Sequence, residues 1–208
     1  MCLLRFRLLA VTASTTANVS RDRLPRELRV VVNDLSGEAP THLVAVYSRP
    51  AMRVSLHPAH ALVLAVHCAH LPLLPKTTSP EPTEVGGTRT LPVIPLCLPS
   101  PSTFPILIHY LYTKRADQLL ASLLPMPPRD AAQSLSQLSQ MFAATFTVQA
   151  LLSHAAKVHG LWSNVAALGV FDEKLFRAIE LVWELVLGAL AISTGSGWRN
   201  AATSSQQS

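Results

Sequence analysis

Charge is scarce in this 208-residue sequence: Asp, Glu, Lys and Arg make up 14% of it, against about 25% in an average soluble chain. Hydrophobic residues reach 49%, and the mean hydropathy is +0.31. There is ample material for a core, and the surplus implies apolar surface that seeks partners. Aromatics are few, with three Trp, three Tyr and six Phe. That leaves little to stack on nucleic-acid bases, and no basic stripe or recognition helix accompanies them. Only three cysteines occur, Cys2, Cys68 and Cys97. They are widely spaced and form no CxxC pair, which excludes a disulfide framework and points to a reducing compartment. Glycine is also sparse. No GxGxxG or P-loop is present, and Gly86-Gly87 alone cannot cradle a phosphate. There is no GxSxG elbow, since Gly195-Ser196-Gly197 falls in a polar tail without strand-turn-helix context. Paired carboxylates are missing too. Asp172-Glu173 reads as a helix cap with first-turn charge, and Glu173 to Arg177 as an i,i+4 pair. Long apolar runs are absent: the best stretch, Ile179 to Ile192, is short and carries Glu180 and Glu184. No catalytic residue, no metal-ligand set and no cofactor is expected, and the chain does not read as an enzyme.

What the sequence does have is proline, sixteen copies, and a mild basic excess of +5. Arg5, Arg7, Arg21, Arg23, Arg26 and Arg29 concentrate in an N-terminal arm, residues 1–27, read as loose. Arg5 and Arg7 interrupt its apolar run, which fits a secretory signal badly. Its acid-free composition up to Asp22 is also that of a mitochondrial transit peptide, a secondary expectation beside a nuclear or cytoplasmic one. Strands are predicted at Leu28–Val32, Leu43–Tyr47 and Arg53–Leu56, bounded by Asn33-Asp34, Ser36-Gly37, Pro40 and Pro50. His57-Pro58 is expected to open a helix that runs to about His70, with Leu62, Val66, Ala69 and Leu73 on its apolar side. Residues 75–90 are a Pro/Gly-rich loop. Leu91–Leu98 is extended, and Pro92 and Pro95 assign it to a sheet edge or a helix-packed position.

From Pro101 onward the pattern turns helical. Ser102 or Thr103 caps a helix through Thr113, with Phe104, Leu107, Ile108 and Leu111 buried. Ala116–Leu124 makes a short helix ended by Pro125, Pro127 and Pro128. Asp130 is expected to cap a long helix ending at Gly160, on whose apolar side lie Leu135, Leu138, Phe142, Leu152 and Ala155. Leu161–Leu168 is a fourth helix, broken at Gly169. Asp172 then caps the last, through about Ala191. Two apolar stripes run along it, one through Leu175, Ile179, Val182, Val186 and Ala189, the other through Phe176, Trp183, Leu187 and Leu190. So wide an apolar face marks a central bundle helix or a docking helix. The candidate interaction surface is therefore Phe171, Leu175, Phe176, Ile179, Trp183, Leu187 and Leu190. The Ser/Gly/Gln-rich tail, residues 193–208, is expected to be disordered.

Histidine is the one chemically rich residue, in eight copies. His57, His60, His67 and His70, with Cys68 among them, share one broad face of the predicted helix. They read as its polar face. A metal-binding protein using this stripe is the alternative, although no further pair is placed to complete four ligands. His109 reads as a structural hydrogen-bonder, and His154 and His159 suit the negative end of the long helix. A DNA-binding accessory acting through the arginine arm is a third option.

Leu91 to Pro125, reading LPVIPLCLPSPSTFPILIHYLYTKRADQLLASLLP, resembles the clampless family of basidiomycete fungi. Arg49 to Pro75 and Leu151 to Leu190 resemble the same family. The resemblance implies a non-catalytic regulator of clamp-cell formation and mating-type-controlled dikaryotic development. Its implied partners are other proteins, developmental transcription regulators among them, with self-association a further mode. No small-molecule substrate, membrane span or direct nucleic-acid binding is implied. A looser likeness, through Phe104-x-x-Leu107 and Tyr110-Leu111-Tyr112-Thr113, is similar to the strand-to-helix step of BTB/POZ domains and would make Phe104, Leu107, Leu111 and Tyr112 core residues. The expected fold is α+β, mostly α, with a small N-terminal sheet and a C-terminal helical bundle in one domain over residues 28–192.

Overall fold

The computed structural model describes residues 11–13, 21–33, 38–49, 53–77, 79–80, 83–124 and 134–195. Among them the fold is α+β and mostly helical, with strands toward the N-terminal side and helices after them. Five strands form a sheet in the order β1-β2-β5-β3-β4. They are β1 Val11–Ala13, β2 Glu27–Val32, β3 His42–Tyr47, β4 Ser55–Ala59 and β5 Thr88–Cys97. The helices are α1 Ala61–His67, α2 Phe104–Thr113, α3 Ala116–Leu123, α4 Leu135–Thr145, α5 Val148–Leu168 and α6 Glu173–Ser193. Within the expected loose arm, β1 pairs antiparallel with β2, Val11 opposite Val32.

The proline-bearing β5 is central in the sheet, which overturns the sheet-edge alternative expected for Leu91–Leu98. Its first half pairs antiparallel with β2 up to Pro92, and its second half pairs parallel with β3 from Val93. Successive N–H groups of a strand point to opposite edges. Val93 N–H reaches the Arg26 carbonyl on the β2 side, and Leu98 N–H reaches Tyr47 on the β3 side. Pro92 therefore lacks its donor toward β3 before that pairing begins. Pro95 lacks its donor toward β2 after that pairing has ended. Neither proline deprives the ladder of a bond.

Two further expectations change. His57-Pro58 does not open a helix: both lie in β4, opposite Val44 and Leu43. β4 is an edge strand, where a proline is tolerated. The helix that follows, α1, is seven residues long, and it buries Val63 and Leu64. Leu62 and Val66, assigned to the apolar side, are 53% and 66% exposed. The long helix expected from Asp130 to Gly160 is two helices. Asp130 lies outside the described residues. Ser134 caps α4 instead, in a reciprocal box with Gln137. The helix breaks at Phe146 and Thr147, and α5 then runs through Gly160 to Leu168 with no separate fourth helix. Leu152, placed on the apolar side, is exposed.

The chain divides into two compact units, Met1–Arg115 with Gly160–Phe171, and Ala116–His159 with Asp172–Ser208. In the first unit Val30, Leu43, Ala45, Leu91 and Val93 form a core on one sheet face, with Leu24, Leu28, Val54 and Leu56 packed against it. His57 packs against Phe104 with the rings tilted and their centroids 5.2 Å apart, which ties β4 to α2. Phe104, Leu107, Ile108 and Leu111 are buried as expected, and Tyr112 is half-buried. Thr103 occupies the N-cap position before α2 but makes no side-chain cap. Its hydroxyl donates to the Ser100 carbonyl and accepts from Asn164. Asn164 is fully buried. Its amide also donates to the Ser100 carbonyl at 2.6 Å and accepts Ser100 N–H at 3.0 Å. Gly160 permits this approach, because a Cβ there would stand 2.8 Å from the Ser100 Cβ. Leu161, Val165 and Leu168 seal the segment from water.

The second unit is helical. Asp172 caps α6 through Leu175 N–H, as the sequence implies. Leu175, Ala178, Ile179, Val182, Leu185, Val186 and Ala189 make the buried face of α6, each large side chain contributing about 1.5–3 kcal/mol. Leu138, Ser139 and Phe142 form the buried face of α4. The two helices approach closely where Ser139 meets Gly188: a Cβ on Gly188 would lie 2.7 Å from Ser139 Oγ, which donates to the Leu185 carbonyl. His154 and Lys157 are mid-helix residues of α5 that bind the Leu123 and Ser122 carbonyls, the terminal acceptors of α3. They serve another helix's negative end, not their own.

Replacing Asn164 by Ala strands the Ser100 N–H, while the Ser100 carbonyl keeps the N–H and hydroxyl of Thr103. We expect a loss of about 1–3 kcal/mol in urea unfolding of the full chain, with Asn164→Asp failing to restore stability because a carboxylate donates nothing to the Ser100 carbonyl.

Candidate functional site

The histidines read as one polar face are dispersed by the fold. His57 lies in β4, its Nε2 bonded to Ser55 Oγ. His60 is buried just before α1. Its Nε2 meets the Glu38 carbonyl at 3.0 Å and its Nδ1 meets the Tyr112 hydroxyl at 2.8 Å, and that hydroxyl also accepts His60 N–H. His67 ends α1, with Nδ1 3.3 Å from Lys114 Nζ. His70 follows the helix, its backbone N–H bonded to the Leu168 carbonyl. A polar outer face thus describes His67 and His70 but not His60, whose burial the assumed helix hid. Among the described residues no group of three or more His, Cys, Asp or Glu could hold a metal ion. His109 is exposed on α2.

Buried imidazoles here are structural joints. His42, missed by the sequence reading, is buried at the start of β3, with Nε2 2.7 Å from the Pro75 carbonyl and Nδ1 2.8 Å from Thr41 Oγ1. Burial, with a smaller contribution from the Arg89 charge, lowers its pKa below the ordinary 6.5, partly countered by the Pro75 carbonyl. Burial lowers His57 as well. Burial pushes the Tyr112 hydroxyl up to about 12 and the Cys68 thiol up to about 11. Cys97 is exposed.

The remaining candidate is the surface of α6. Leu175 and Ile179 are buried in the second unit and take no part in an exposed face. Phe171 belongs to the first unit and is 85% exposed. Phe176 is 38% exposed, and Trp183, Leu187 and Leu190 are half-buried. At about 100° per residue these four share one side of the helix. The Trp183 ring contacts that of His159 at 6.4 Å between centroids. Glu180 and Glu184 lie along the border of this side, both exposed. The sequence reading treated them only as charges that interrupt an apolar run. No helix among the described residues is long and apolar enough to cross a membrane.

Family comparison decides what kind of chain carries this surface. The Clampless protein 1 N-terminal domain model matches residues 3–99, and the Clampless protein 1 C-terminal domain model matches residues 117–208. The chain belongs to the clampless family. It is similar to Clampless protein 1 of Cryptococcus neoformans var. neoformans serotype D, in two strains, each 32% identical over 124 residues. That alignment covers 58% of this chain and 24% of the relative, so the chain spans about a quarter of the length of the curated relatives it matches. No solved structure matches it. The C-terminal domain model begins at residue 117, beside Ala116 where the second structural unit begins, yet Gly160–Phe171 of the C-terminal domain is part of the first unit.

Two measurements follow from the buried groups. His42 and His57 hold folded pKa values below 6.5, so the unfolded chain binds more protons in that window. Stability is fully present above about pH 6.5 and falls as pH drops through the folded values. Thermal unfolding from pH 8 to pH 5 is expected to show this decline, and His42→Gln to make it shallower. Alkylation followed by peptide mapping at pH 8 is expected to label Cys97 well before Cys68. Equal labelling rates would mean that Cys68 is not held away from solvent.

Proposed function

We propose that this chain is a non-catalytic regulatory protein that acts through protein–protein contacts in clamp-cell formation and mating-type-controlled sexual development of a basidiomycete. The observation that carries the reading is the match of both clampless domain models, at residues 3–99 and 117–208. Contact-based action is supported by the apolar side chains that α6 leaves at the surface, Phe176, Leu181 and Ile192. A packed core gives no reason for them. Two buried polar side chains are consumed in structural bonds, His60 by Glu38 and Tyr112, Asn164 by Ser100 and Thr103. They join chain segments and leave little for chemistry on a substrate.

The test is affinity capture of the tagged full chain from mating cells and from vegetative cells, read by quantitative mass spectrometry. A protein enriched in the mating sample, and lost with Phe176→Ser, is the expected result. No reproducible partner in mating cells would sink the reading. A strain lacking the gene is expected to form hyphae without clamps, and normal clamps would remove the developmental assignment.

A further inference from the structure

The charges beside the apolar side of α6 are uneven. Glu173 is neutralised by Arg177 on the same helix. Glu180 and Glu184 are exposed and make no ion pair among the described residues. They stand on successive turns, in a chain with twelve acids against seventeen Lys and Arg. At about 40° and 80° from Phe176 around the helix, they border the side that carries Phe176, Trp183, Leu187 and Leu190. The opposite border turns into the buried face through Ile179 and Val186. A strip of apolar side chains with negative charge along one margin is complementary to a helix whose apolar face is flanked by lysine or arginine.

We propose that this side of α6 docks a basic amphipathic helical segment of a partner protein. The segment's apolar side chains lie on Phe176, Trp183, Leu187 and Leu190, and its cations lie beside Glu180 and Glu184. The apolar contacts supply most of the affinity, while the two carboxylates set orientation and reject acidic segments. This inference rests on the reading of the chain as a protein-binding regulator, and it can fail while that reading stands.

The probe is a fluorescein-labelled 14-residue helical peptide of leucine and lysine in amphipathic order. Its control has glutamate at every lysine position, and both are titrated with the full chain by anisotropy. The lysine peptide is expected to bind at least about tenfold more tightly than the glutamate peptide. Glu180→Lys with Glu184→Lys is expected to weaken the lysine peptide at least about tenfold and to leave the unfolding midpoint unchanged, since both side chains are exposed. Phe176→Ser weakens it through the apolar contact. Equal binding of the two peptides, or of the double-lysine variant and the wild type, overturns the proposal. So does concentration-dependent dimerisation of the full chain that Phe176→Ser abolishes, because a second copy would then occupy this face. A partner recovered from mating cells whose capture is indifferent to the double-lysine change refutes this inference and leaves the proposed function intact.

Discussion

The sheet depends on one strand that changes partner in mid-course. β5 is antiparallel to β2 over its first half and parallel to β3 over its second, so it joins an N-terminal ribbon to the β3–β4 pair. A central strand ordinarily excludes proline, because a missing buried donor costs about 1–3 kcal/mol. Pro92 and Pro95 escape that cost because each directs its absent N–H toward a side with no pairing strand. The change of partner and the two prolines are one feature: continuous pairing on both sides would leave no room for either residue.

Hydrogen bonding then explains how helices join that sheet. His60 and His42 tie loops to β3, α1 and α2, and the Tyr112 hydroxyl makes two bonds to a single residue, accepting the His60 backbone N–H and meeting its Nδ1. Asn164 does the same work on α5, holding both the N–H and the carbonyl of Ser100. In a chain so poor in charge, buried neutral polar groups take the place of ion pairs in fixing which segments meet. Such groups are directional, and each is costly to leave unsatisfied.

Much of the fold was legible from pattern. The Asp172 cap, the buried stripe of α6, the core face of α2 and the overall α+β class were readable because capping residues and a 3.6-residue period report directly on local structure. The failures share a cause. Pro58 looks like a helix opener and Pro92 like an edge marker only when tertiary neighbours are ignored. Gly160 looks like a break until the Ser100 backbone is seen to need the space. Of the candidate surface, Phe176, Trp183, Leu187 and Leu190 were legible as a stripe. Leu175 and Ile179 were included because periodicity cannot say where burial stops. Glu180 and Glu184 read correctly as interruptions in an apolar run, but their exposed place beside Phe176 is visible only in the fold.

The placement of Gly160–Phe171 bears on genetics. A truncation allele that ends the chain just before the C-terminal family domain, at residue 116, would remove Asn164, Leu161, Val165 and Leu168 from the unit it was meant to leave whole. The Ser100 backbone and the end of the β5–α2 connection would lose their cover. Loss of function in such an allele would report damage to both halves and could not be assigned to the C-terminal domain. Point changes on exposed positions of α6 separate the two contributions, because they leave the borrowed segment in place.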